Sequence, residues 1–76
     1  MNLIEINPHI MLGKPVLAGT RITVESLLER LAAGEREADI LEAHPQLKPE
    51  HIRASLHYAA ATLRNEEAYI VTTLAA

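Results

Sequence analysis

Cysteine, tryptophan and phenylalanine are all absent, and only two tyrosines stand among the 76 residues. Without cysteine there is no disulfide framework and no thiolate metal site, a composition that fits a reducing compartment. The core must therefore be built from leucine, isoleucine, valine and alanine. No apolar run approaches the roughly 18 residues that a membrane span needs, so no membrane association is expected. The N-terminus, MNLIEINPHI, shows neither a basic n-region nor an apolar h-region. No secretory signal is read there, and a cytoplasmic location is expected. Length is lacking too. A chain of this size buries only about 60% of its unfolded surface, which points to one domain supported by a second subunit, with a homodimer as the expected form.

A strong excess of charge is also missing, the net value being −3. That balance alone argues against a nucleic-acid binder, but the distribution is more informative. Residues 25–43 carry six acids against Arg30 and Arg36. Positive charge collects in two other blocks. One holds Lys14 and Arg21 with no acid between residues 8 and 24, and the other holds Lys48, Arg53 and Arg64 against Glu50. Three of the four histidines, His44, His51 and His57, lie in the second block. Such asymmetry speaks about partners rather than about fold.

Along the chain, short β or extended pieces fit 3–6, 16–18 and 21–22, separated by Asn7-Pro8 and by turns at Gly13, Pro15 and Gly19. From Thr23 the period changes. Val24, Leu27, Leu28, Leu31 and Ala32 recur at i, i+3, i+4, i+7 and i+8, one apolar stripe of a helix. Thr23 is the natural N-cap and Gly34 the expected residue past the C-cap. A second helix fits 36–43, stopped by His44-Pro45. A third starts with Pro49 at its first position and runs to about Arg64. Its expected buried face is Ile52, Leu56, Ala59, Ala60 and Leu63. Two helices joined by a tight turn make a helix-turn-helix pattern. The expected fold is mainly α, three helices with a short N-terminal extended or β arm (1–22). The domain spans 1–64, and 65–76 forms a C-terminal tail.

The segments NPHIMLGKPVLAGTRITVESLLERLAAG, ADILEAHPQL and PEHIRASLHYAAATL resemble the domain-of-unknown-function 433 family over about residues 4–64, with GKPVLAGTRI the most specific element. The resemblance implies a homeodomain-like helix-turn-helix fold. It also implies a VapB-type antitoxin encoded beside a small PIN-like, VapC-type toxin ribonuclease. The chain departs from that family at helix starts. Arg36 replaces a usual serine or threonine, His44 a common tyrosine, and Lys48 and His51 replace a hydroxyl cap and an acid. Each lost capping oxygen would cost about 1 kcal/mol, and the replacements make the helix starts more basic.

In a helix-turn-helix the second helix enters the major groove with its N-terminal residues foremost. Arg53 is then the leading DNA-contact candidate, with Lys48 and His51 at the helix mouth and His57 and Arg64 beyond. The plainer reading is that these side chains form an ordinary solvated face. Lys14 and Arg21 could reach a minor groove as homeodomain arms do. Alternatively, Val16, Leu17 and Ile22 are buried in a pairing of two copies, and the two cations rest in solvent or against acids such as Glu5. The tail, through Glu66, Tyr69, Ile70, Val71 and Leu74, is the expected surface for a partner protein. No metal or cofactor is expected, because no HExxH, no i,i+4 histidine pair and no cysteine occurs. Ser26 and Ser55 have no evident base, so no enzymatic activity is expected. The function these features suggest is an antitoxin-like, DNA-binding protein that neutralises a PIN-like toxin and regulates its own operon. The alternative is a protein-interaction module that never touches DNA.

Overall fold

A computed structural model of the chain describes residues 3–65. Two strands, β1 (Ile4–Glu5) and β2 (Val16–Leu17), pair antiparallel with Ile4 opposite Leu17 and Glu5 opposite Val16. Three helices follow: α1 (Val24–Ala32), α2 (Glu37–Ala43) and α3 (Pro49–Asn65). The fold is mainly helical, with a minimal hairpin at its start.

The loop joining the strands is organised by Asn7. Its side-chain oxygen accepts the His9 N–H at 2.8 Å and its carbonyl accepts the Ile10 N–H at 2.9 Å, the short-range bonding that makes asparagine a turn former. The chain then winds left-handed through Met11, Leu12 and Gly13, with φ of 48°, 59° and 81°. Glycine adopts this conformation freely; Met11 and Leu12 do so against their Cβ atoms, at a cost of about 1–2 kcal/mol each. Leu12 is 95% exposed, so its side chain returns nothing within the chain.

Thr23 caps α1 as its sequence position predicts, its hydroxyl accepting the Ser26 N–H at 3.0 Å. At the other end, Gly34 has φ 94°. Its N–H reaches Leu31 O at 3.0 Å, while the Glu35 N–H reaches Arg30 O at 3.1 Å. These paired bonds satisfy the last carbonyls of the helix.

Leu17, Val24, Leu27, Ile40, Leu47 and Ile52 form the central cluster, with Ile4, Ile22, Leu28, Leu31, Leu41 and Tyr58 packed around it. Two readings from the sequence change here. The expected arm is not an appendage, because Val16 and Leu17 are fully buried within their own chain. Val16 bridges Thr23, and the Val24 N–H bonds to Pro15 O at 2.9 Å. These apolar residues are thus used in their own core and not in joining two copies. The buried face of α3 is also turned from the expected stripe. Ile52 and Ser55 are buried, whereas Leu56 and Leu63 are 46% and 53% exposed and Ala60 is exposed. Small Ser55 lets the backbone of α3 approach the core, its hydroxyl satisfied by His51 O at 2.9 Å. α3 packs on β1, α1 and α2, and its fully buried residues all lie in its first half. Leu47, in the turn 44–48, is also buried.

Candidate nucleic-acid interface

α2, the turn 44–48 and α3 follow one another in helix-turn-helix order. The placement of α2 against α1 is fixed by a clamp that no sequence pattern revealed. Arg30, in the last turn of α1, donates to both carboxylate oxygens of Glu35 at 2.8 and 2.9 Å and also reaches His44 Nε2. A guanidinium has only donors, so this contact requires the lone pair of His44 at Nε2 and its proton at Nδ1. The hydrogen bonds with Glu35 raise the Arg30 pKa further and hold the Glu35 carboxyl below its ordinary value. One side chain therefore joins the end of α1, the linker and the C-cap of α2.

The start of α3 explains the departures at Lys48 and His51. Lys48 is the residue before Pro49, and its backbone N–H donates to His51 Nδ1 at 2.9 Å. A side chain three residues into the helix reaching back to the N-cap N–H is half of a capping box, here made by histidine. His51 is consequently half-buried and occupied locally, on the side of α3 away from Arg53.

At 3.6 residues per turn, Arg53, His57 and Arg64 lie within about 40° of one another around the helix axis, and all three are exposed. Arg53 and His57 border a shallow depression of about 170 Å³ with Leu56. Lys48 is exposed at the mouth of the same helix. Helical phase thus puts Arg53, His57 and Arg64 on one exposed side of α3, while Lys48, at the N-cap, and His51 lie on other sides of the helix. Lys14 is drawn to α1, with its Nζ 3.2 Å from Glu25. Arg21 stands exposed on the turn before α1. Glu66, Tyr69, Ile70, Val71 and Leu74, read as a partner surface, lie outside the described residues.

The pattern of pairing among the cations is the informative feature. Three of the seven Lys and Arg side chains are held in ion pairs: Lys14 with Glu25, Arg30 with Glu35, and Arg36 with Asp39. Arg21, Lys48, Arg53 and Arg64 form no ion pair with any described residue. Three of these four belong to α3 or its cap.

A second surface feature is an open apolar groove of about 490 Å³ between α1 and α3. Val24, Leu28 and Ala32 line it from one helix and Tyr58, Ala59 and Leu63 from the other, with Glu25 and Glu29 on its α1 side. Among the described residues no three His, Asp or Glu side chains gather closely enough to hold a metal ion, and no helix is long and apolar enough to cross a membrane.

A family model described as a protein of unknown function, DUF433, matches residues 4–59. The chain belongs to the DUF433 family. An uncharacterised protein, y4eO, of Sinorhizobium fredii (strain NBRC 101917 / NGR234) is 39% identical over 59 residues, 78% of this chain but 27% of the relative. This DUF433 chain therefore spans about a quarter of the length of the curated relative it matches. It is also similar to the crystal structure of a DUF433 member protein from Anabaena variabilis ATCC 29413. That likeness has a TM-score of 0.80 at 27% identity, over 93% of this chain and 70% of the other.

Proposed function

We propose that this DUF433 domain is a DNA-binding, antitoxin-like protein that acts as a cytoplasmic homodimer and has no catalysis of its own. The observation that carries the reading is the set of cations on α3 and its cap that form no ion pair with any described residue. Side chains whose charge is not neutralised by such a pair can release counterions from a phosphate backbone. Lys48 and Arg53 meet DNA first, His57 and Arg64 lie along the same helix, and Arg21 is a further phosphate contact. Lys14, paired with Glu25, ranks below them, and His51 serves the helix start. Support for a PIN-like toxin as the neutralised partner, and for operon autoregulation, comes from the resemblance carried by GKPVLAGTRI. The apolar residues Tyr69, Ile70, Val71 and Leu74, with Glu66, supply a segment suited to a basic protein partner.

Fluorescence anisotropy on the DNA upstream of the protein's own gene tests the reading. Lys48 and Arg53 from two copies alone give a slope of log K against log salt of roughly −3.6, and Arg53→Ala reduces its magnitude by about 2. Binding that is undetectable, or that is insensitive to salt and unchanged in Arg53→Ala, overturns it. The α1–α3 groove favours a second reading, an interaction module that binds a protein and leaves DNA alone. Co-expression with the product of the neighbouring open reading frame, with recovery of a complex that forms equally well in Arg53→Ala, is its expected result.

A further inference from the structure

We infer that the apolar groove between α1 and α3, together with the exposed C-terminal half of α3, is the surface on which two copies of this chain pair. Every residue from Ala60 to Asn65 is exposed, so nearly two turns of α3 extend past the core that holds Ile52 and Ser55. Leu63 is 53% exposed there while also lining the groove. A helix end with no packed face is marginal in water, and a groove between two helices is shaped to receive a third. The last turns of α3 from a second copy satisfy both needs at once. Reciprocal seating across a twofold axis sets the two α3 helices side by side, with an α1 on each flank, so that the same patch serves both copies.

Charge selects the second copy over the chain's own C-terminal segment. Glu29 lines the groove and has no ion pair among the described residues, and the incoming end of α3 brings Arg64. The chain's own segment would instead bring Glu66 and Glu67 to an acidic rim. The inference specifies a surface for the dimer invoked above, but it does not rest on DNA contact. Only the C-terminal half of α3 is covered, so Arg64 becomes a dimer contact and not a phosphate contact, while Lys48 and Arg53 stay outside.

Light scattering after size exclusion, on the full chain without DNA, is the test. The expected mass is twice 8.4 kDa. Leu63→Glu should weaken self-association by roughly thirtyfold or more, the effect of losing a central interface side chain, with an unchanged far-UV circular dichroism spectrum. Thr62→Arg, an exposed position lining the same groove, should do likewise, which guards against a folding defect in the first variant. Leu12→Glu, on the left-handed turn, should remain dimeric. A monomeric wild type, or a dimer that persists in both Leu63→Glu and Thr62→Arg, overturns the inference. Arg53→Ala separates the two proposals, because it should lose DNA while keeping the dimer mass.

Discussion

Leu47→Ala is the sharpest probe of how α3 is held. Leu47 sits in the five-residue turn between Ala43 and Pro49, yet only 5% of its surface is exposed and it joins the cluster that contains Ile40 and Ile52. Those partners belong to α2 and to the first turn of α3, so Leu47 wedges the two helices at their junction. Its backbone N–H also closes the turn on His44 O at 2.9 Å, which keeps the side chain aimed inward. Truncation to alanine removes apolar groups worth about 0.8 kcal/mol per methylene, and the unfilled space adds a cavity cost. Leucine-to-alanine changes in cores span about 2–5 kcal/mol. A turn can partly collapse, so the lower half of that range, about 2–3.5 kcal/mol, is expected here. A domain of this size has a total stability of about 4–11 kcal/mol, and each kcal/mol moves the melting temperature by about 4–8 °C. The expected loss is therefore about 10–20 °C. Thermal and urea unfolding followed by circular dichroism would measure it, beside the exposed neighbour Gln46→Ala, which should stay within about 0.5 kcal/mol. A loss below about 1 kcal/mol for Leu47→Ala would refute the idea that this residue locks α2 to α3.

Two further predictions concern strain and charge. Leu12→Gly should raise stability by about 0.5–1 kcal/mol. It removes about 1–2 kcal/mol of left-handed strain against a smaller gain in unfolded-state entropy, and the lost side chain is almost wholly in solvent. Urea unfolding would show it, and a destabilised Leu12→Gly would contradict the left-handed turn. Glu35 supplies a pH dependence. Its carboxyl is held below the ordinary value of 4.5 chiefly by the hydrogen bonds from Arg30, so between the two values the unfolded chain binds more protons than the folded one. The stabilisation is fully present above pH 4.5 and disappears as the pH falls through the lower folded value. Unfolding midpoints measured from neutral to acidic pH should fall less steeply in Glu35→Gln than in wild type, and equal slopes would remove the clamp from the account.

Features encoded locally were readable from the sequence. Thr23, Gly34 and Pro49 announce helix ends through short-range hydrogen bonding and backbone preference, and the structure places all three where those rules put them. Gly13 and Gly19 mark turns for the same reason. Features that depend on what a helix packs against were not readable. The stripe from Ile52 through Leu56 to Leu63 has good helical spacing, but periodicity cannot say how many turns the rest of the chain can cover. Ser55 does not read as a core residue, because serine ranks low in that role, although a small side chain is what a close helix approach requires. The Arg30, Glu35 and His44 clamp spans 14 residues between its outer members and has no repeating pattern to betray it. Of the candidate interface, the grouping of Arg53, His57 and Arg64 followed from helical phase alone, whereas the capture of Lys14 by Glu25 depended on how the hairpin folds back.

α3 divides into two parts with different physical work. Its first half supplies Ile52 and Ser55 to a core that contains seven buried hydrophobic residues among those described, and replacing those two side chains would disturb the fold itself. Its second half adds only the partly buried Tyr58 around that core, its last six residues are all exposed, and the helix with its cap carries three of the four cations that have no ion pair with a described residue. In so small a domain a helix stops contributing to its own core as soon as the apolar surface of α1, α2 and the hairpin is covered. Further turns then add solvent-exposed leucine and arginine, which disfavour an isolated monomer through exposed apolar area and give it no compensating contact. On the proposed readings, the length of α3 is accounted for by DNA and a second copy of the chain. Arg53 near its start and Leu63 near its end are far enough apart, about 15 Å at 1.5 Å per residue, for one to meet a phosphate backbone while the other lies against a second copy.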